Sequence, residues 1–127
     1  MRQYMLVEID FQSDEALYIQ LRNQIVLAVA SCLLREGDSL PPVRQMAQHL
    51  GINMHTVNKA YALLREEGFL TLDRRRGAVI AVDVDRQRAA QELKEQIEPI
   101  LAKALCQGMR TEDVHEVVDE LCARWEM

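Results

Sequence analysis

No hydrophobic run in this chain approaches the roughly 20 residues that a membrane-spanning helix needs, although 49% of its 127 residues are hydrophobic. Its opening residues, MRQYMLVEIDFQSDE, lack the long apolar core and the small-residue cleavage site of a secretory signal. A cytoplasmic location without a membrane partner is therefore expected. Cysteine is scarce. Cys32, Cys106 and Cys122 are odd in number and widely spaced, which indicates neither a disulfide framework nor a Cys-x-x-Cys metal site. Each falls in an apolar helical stretch and reads as a small buried hydrophobe. His49 and His115 read as surface histidines rather than metal ligands. There is no glycine-rich phosphate loop, no nucleophile motif, no internal repeat and no low-complexity segment. The length suits one compact domain and an appendage and leaves little room for an added catalytic domain. The chain is not expected to be an enzyme, and no catalytic residue, metal site or cofactor is assigned.

Positive charge also looks scarce, since the formal net charge is −5. Its distribution matters more than its sum. Residues 83–127 hold six Lys/Arg against eleven Asp/Glu. Residues 40–82 hold Arg44, Lys59, Arg65, Arg74, Arg75 and Arg76 against only Glu66, Glu67 and Asp73. An acidic tail thus masks a basic segment, and local charge decides phosphate binding.

Apolar periodicity places a first helix over residues 15–35. Leu17, Leu21, Ile25, Ala28, Val29, Cys32 and Leu33 form one stripe, a helical spacing. Ser13 is the expected cap, with Asp14 and Glu15 in the first turn and Gly37 ending the helix. Asp38–Pro42 reads as a turn, because two prolines fix φ and remove two donors. Two short helices follow, Val43–Leu50 and Met54–Glu67. Gly51 separates them and Asn53 can cap the second. This spacing matches a helix-turn-helix. Phe69–Leu72 and Val79–Val82 then form a small hairpin around the polar tip Asp73–Gly77. The remainder reads as helical. Arg86–Gln107 should kink near residues 95–99 or split in two, because Pro99 lies inside it. Gly108 ends that stretch. Thr111 is the expected cap of a last helix bearing Val114, Val117, Val118, Leu121 and Trp125 on one face.

Helix, turn, helix and hairpin in that order make a winged helix-turn-helix. The expected class is mostly α (α+β). Residues 1–82 form the DNA-binding domain and residues 83–127 a two-helix dimerisation tail. The second helix of such a pair enters the major groove of double-stranded DNA, with its N-terminal residues toward base edges. Here these are Asn53, Met54, His55, Thr56, Asn58 and Lys59. Asn and Thr can hydrogen-bond bases, and Lys59 can pair with phosphate or guanine. Arg74, Arg75 and Arg76 crowd three guanidinium groups onto a narrow tip before Gly77, which suits phosphates or a minor groove.

The stretch GDSLPPVRQMAQHLGINMHTVNKAYALLREEGFLTLDRRRGAVI, residues 37–80, resembles the GntR family of bacterial regulators, and more closely its YtrA-type branch. Asn53 and the run Lys59-Ala60-Tyr61 carry the likeness to that branch. Leu17-Tyr18-Ile19-Gln20-Leu21 is similar to the family's P-L-Y-x-Q-I. The resemblance covers residues 8–82 in detail and the tail only by size. It implies that Arg44 contacts a phosphate or base, that Thr56 bonds the DNA backbone and that Lys59 lies along it. It also implies that Gly77 lets the wing approach the minor groove. Some positions depart from the pattern. Pro42 replaces a capping serine, Met54 a proline and Arg75 a first wing glycine, while Ala78-Val79 replace Thr-Phe. The wing should therefore carry more charge and a different shape.

A tail of this size rarely buries a stable core alone. Its apolar face should pack on a symmetry mate, on the DNA-binding domain, or on both. A two-fold homodimer would place two recognition helices about one DNA turn, roughly 34 Å, or a multiple apart and would read a pseudo-palindrome. The expected function is a transcription regulator, more a repressor than an activator, and the family likeness implies control of a transporter operon. The alternative is a winged-helix protein-interaction module without sequence-specific DNA binding, since fold does not fix function. A small-molecule effector is left open, because the tail is too short for an obvious pocket.

Overall fold

A computed structural model describes residues 7–125. Residues 1–6 and 126–127, at the outer ends of the two segments assigned from the sequence, lie outside the described residues. The backbone divides into two units, the first ending at Asp83 and the second beginning at Val84. The first unit holds α1 (Leu17–Ala30), α2 (Val43–Leu50), α3 (Met54–Glu66), β1 (Leu70–Asp73) and β2 (Gly77–Ile80). The second holds α4 (Arg86–Cys106) and α5 (Thr111–Trp125). Among the described residues no helix is long and apolar enough to cross a membrane.

The core belongs to the first unit. Leu21 and Ile25 of α1 meet Met46 of α2, Val57 and Leu64 of α3, and Ile80 of β2, each at most 1% exposed. Burying a side chain of this size contributes about 1.5–3 kcal/mol. The apolar spacing on α2 and α3 is therefore what locks the helix pair, and both helices occupy the expected residues to within one position.

Helix α1 is shorter than its periodicity predicts, at both ends. Ala16 is its N-cap and makes no side-chain bond. Ser13 instead accepts the Glu15 N–H through Oγ at 3.0 Å, a local turn that competes with helix. Asp14 and Glu15 thus stay outside the first turn. The buried Gln20 fixes this incoming segment. Its Oε1 accepts from Asp10 N at 2.8 Å, and its Nε2 donates to the carbonyls of Asp10 and Glu15. At the other end the left-handed residue that stops the helix is Cys32, with φ +65°, while Gly37, also at positive φ, lies five residues further on. Cys32 N donates to Val29 O at 3.1 Å and Leu33 N to Ala28 O at 2.8 Å, the two bonds of a Schellman stop. The chain then turns back, so Leu34 is buried and Leu33 is left exposed. Gly37 lies beyond, donating its N–H to Ile80 O.

The expected turn at Asp38–Pro42 is partly a sheet edge. Ile80 N donates to Asp38 O and Leu40 N to Ala78 O, both at 2.8 Å, with Ser39 opposite Val79. The two prolines end this pairing. Strands β1 and β2 are antiparallel, with Leu70 opposite Ile80 and Asp73 opposite Gly77. The second strand therefore starts two residues earlier than its β-forming residues suggest.

In the second unit, Asp85 caps α4 by accepting the Arg88 N–H at 3.1 Å. The helix runs through Pro99 as one element, so the expected split into two shorter helices does not occur. A proline removes one ladder bond, and the helix continues on the bonds either side. Gly108 follows with φ +105°, and Met109 N returns to Ala104 O. Thr111 is the first residue of α5 rather than its cap. The Asp113 carboxylate accepts the Arg110 N–H at 2.9 Å instead, the acidic half of a capping box. No residue of α4 or α5 is buried. All three cysteines are exposed, against the buried reading. Cys32 left its helix, and Cys106 and Cys122 stand on helices without a buried face.

Candidate nucleic-acid interface

The second residue of α2 is Arg44, which is exposed. Pro42 caps α2 without a side-chain bond. What holds this N-terminus is the buried Tyr61 of α3, whose hydroxyl donates to Pro41 O at 2.8 Å. Burial pushes the Tyr61 phenol well above the ordinary tyrosine range. Nothing in the sequence announces this tether. Gly51 ends α2 in the left-handed region at φ +72°, which turns the chain directly into α3.

Asn53 caps α3. Its Oδ1 accepts the His55 N–H at 2.7 Å, so its acceptor oxygen serves the helix and its amide N–H groups remain for a partner. His55, Asn58 and Lys59 are exposed, and Thr56 is half-buried. The Lys59 ammonium lies 4.2 Å from the centre of the Tyr18 ring. It is held against α1 by a cation–π contact, which is worth about 0.5–1 kcal/mol at an exposed site. A bidentate ion pair fastens the other end of α3 to α1. Arg22 Nε and Nη2 meet the Glu67 carboxylate at 2.7 and 3.1 Å. The two residues are 45 positions apart, and no local pattern signals the pair.

The wing tip is Arg74–Arg76 between the strands. Asp73 Oδ1 accepts from Arg75 N at 2.8 Å and from Arg76 N at 3.0 Å. These two backbone bonds, with the Arg76 charge, hold its carboxyl below the usual carboxylate range. Gly77 closes the loop at φ +77°, a conformation most side chains resist. The three arginines are not equivalent. The Arg76 guanidinium donates to the Gly37 carbonyl and braces the wing against the segment before α2. Among the described residues, no protein group accepts from the Arg74, Arg75 or Arg44 side chains.

The site thus comprises an exposed Arg44, a capped α3 with polar residues over its first two turns, and a wing with two unpaired cations. The acids nearby are largely spent, since Asp73 caps the tip and Glu67 pairs with Arg22. Nothing in the arrangement supplies a nucleophile. Its chemistry is hydrogen bonding and charge pairing with a polyanion.

Comparisons with known proteins agree with this geometry. Residues 14–80 match the family described as "Bacterial regulatory proteins, gntR family". The HTH-type transcriptional repressor YtrA of Bacillus subtilis (strain 168) is 30% identical over 121 residues, 93% of each chain. Among solved structures, YtrA of Sulfolobus acidocaldarius, a GntR-family transcription factor, is 36% identical. It superposes with a TM-score of 0.62 over 72% of this chain and 97% of its own. A transcriptional antiterminator of Listeria monocytogenes EGD-e is 25% identical, with a TM-score of 0.79 over 89% of this chain and 87% of that one.

Proposed function

Because the chain belongs to the GntR family of transcription regulators and carries its DNA-binding winged helix, we propose that it represses transcription as a homodimer on a pseudo-palindromic operator. The observation that carries the reading is the exposed polar start of α3 beside unpaired Arg44, Arg74 and Arg75. In it, His55 and Asn58 read bases, while Thr56, Lys59 and the wing arginines hold the backbone. Gly77 keeps the wing narrow. Asn53 orients the helix and offers only its amide N–H groups. Arg76 steadies the wing until DNA competes for it.

Dimerisation through residues 83–127 is supported by their surface. Leu93 and Ile100 are 63% and 68% exposed, and Leu105, Val117 and Val118 are also exposed. Exposed apolar side chains repeated along a helix mark an association surface. The similarity to the repressor YtrA supports repression; control of a transporter operon is carried only by the family likeness.

Selection of bound duplexes from random DNA tests the proposal. Recovery of a two-fold symmetric motif with half-sites about one helical turn apart, bound less tightly as salt rises, is the expected outcome. Salt-insensitive or absent binding would instead support a protein-interaction module.

A further inference from the structure

Arg65 lies two turns beyond the residues assigned to DNA reading, and the electrostatics of α3 give it no partner. Tyr61 and Ala62 stand one turn before it, and Gly68 and Phe69 one turn after. No carboxylate therefore occupies the i±3 or i±4 positions that would neutralise it. Glu67, the nearest acid with a fixed geometry, is engaged by Arg22. Among the described residues nothing accepts from the Arg65 guanidinium, and the residue is exposed.

Arg65 also lines a groove of about 310 Å³, shared with Pro42, Asn58, Ala62, Leu72 and Gly77. These residues come from the start of α2, from one face of α3 and from the hairpin. They are the three elements that carry Arg44, the base-reading residues and the wing tip. If α3 enters a major groove and the wing an adjacent minor groove, one sugar–phosphate strand separates them. That strand has to pass between α3 and the wing, where this groove lies.

The lining suits such an occupant. Pro42, Ala62 and Leu72 offer an apolar floor for deoxyribose, and Arg65 supplies a cation for phosphate. Asn58 and Arg65 are seven residues apart, about 10 Å along the helix axis. Arg65 therefore stands well clear of the bases assigned to Asn58, where the strand backbone is the group left for it to meet. The geometry points to this groove as the seat of one DNA strand and to Arg65 as a phosphate contact within it. The inference rests on the DNA-binding reading above. Against it stands a simpler role, in which Arg65 only complements the C-terminal end of the α3 dipole.

Arg65→Gln and Arg65→Lys in the full chain separate the two, using a duplex that the wild-type chain selects from a random pool. A phosphate contact predicts that Arg65→Gln binds roughly tenfold more weakly. The slope of log K against log salt should fall by about 0.9 per chain. The selected motif and the melting temperature should stay unchanged, and Arg65→Lys should restore the slope. Wild-type affinity and slope in Arg65→Gln would overturn the inference, as would a lowered melting temperature with unaltered binding. A motif altered at one base pair would overturn it too, by making Arg65 a base reader. If the wild-type chain selects no duplex, the DNA-binding reading itself fails, an outcome distinct from any of these.

Discussion

Replacing Tyr61 with phenylalanine isolates one bond on which the site depends. The ring is 8% exposed and part of the core, so Tyr61→Phe keeps the packing and removes only the hydroxyl. What is lost is the 2.8 Å hydrogen bond to Pro41 O, the tether between α3 and the segment leading into α2. A hydrogen bond of this kind contributes about 0.5–1.5 kcal/mol net. Pro41 is half-buried, so water can partly replace the donor, and about 1 kcal/mol is expected near neutral pH. For a domain of this size that lowers the melting temperature by roughly 4–8 °C. The pH dependence is a sharper test. The native phenol is raised above the free value of 10.0, so the unfolded chain releases this proton first as pH rises. Wild-type stability from this group is complete below pH 10.0 and declines above it, whereas phenylalanine does not titrate. At about pH 10.5 the linkage amounts to about 0.8 kcal/mol, which nearly closes the gap between the two proteins. Urea titrations followed by far-UV circular dichroism at both pH values measure it. Equal stability at neutral pH, or a gap that persists undiminished at the higher pH, refutes the reasoning.

Cys32→Gly should stabilise the chain by about 0.5–1 kcal/mol. Releasing a non-glycine residue from φ +65° gains about 1–2 kcal/mol, and the looser unfolded chain takes back about 0.5–1. A less stable glycine variant in the same urea titration would contradict this. Arg44→Ala should weaken DNA binding and lower the salt slope by about one unit per chain; an unchanged slope removes Arg44 from the interface. His55→Ala or Asn58→Ala should alter base preference at one position per half-site, read by repeating the random-pool selection; motifs identical to wild type would count against base reading. Every residue found buried lies between Gln20 and Ile80. Deleting residues 84–127 should therefore leave a folded monomer with much weaker operator binding, and a truncated chain that still sediments as a dimer would exclude the tail as the dimer contact.

Much of the fold was legible because its signals are local. Val43, Met46, Ala47 and Leu50 recur at helical spacing, as do Val57, Ala60, Tyr61 and Leu64, and Gly51 and Asn53 mark the break between them. Errors arose where two local signals disagreed. The apolar stripe of α1 continues through Leu33, but the helix ends at Ala30 and the turn through Cys32 leaves Leu34 buried and Leu33 exposed. The capping signals at Ser13 and Thr111 are real turn-forming tendencies, but Ser13 lies three residues before the cap Ala16 and Thr111 is already the first residue of its helix. At Pro99 the helix continues as one element, which excludes the split but not the kink that a proline inside a helix produces.

The sequence by itself determined the order of elements, the basic segment within an acidic chain and the residue types offered to DNA. Those depend on periodicity, turn chemistry and charge, which act over a few residues. The tertiary structure alone decided which of those residues are free to act. It set Lys59 on Tyr18 and tied Arg76 to Gly37. It paired Arg22 with Glu67 and placed Arg65 in a groove with the wing. Lys59–Tyr18, Arg76–Gly37 and Arg22–Glu67 join residues tens of positions apart, and the Arg65 groove joins α2, α3 and the hairpin. Such partners are fixed only when the core brings distant segments together.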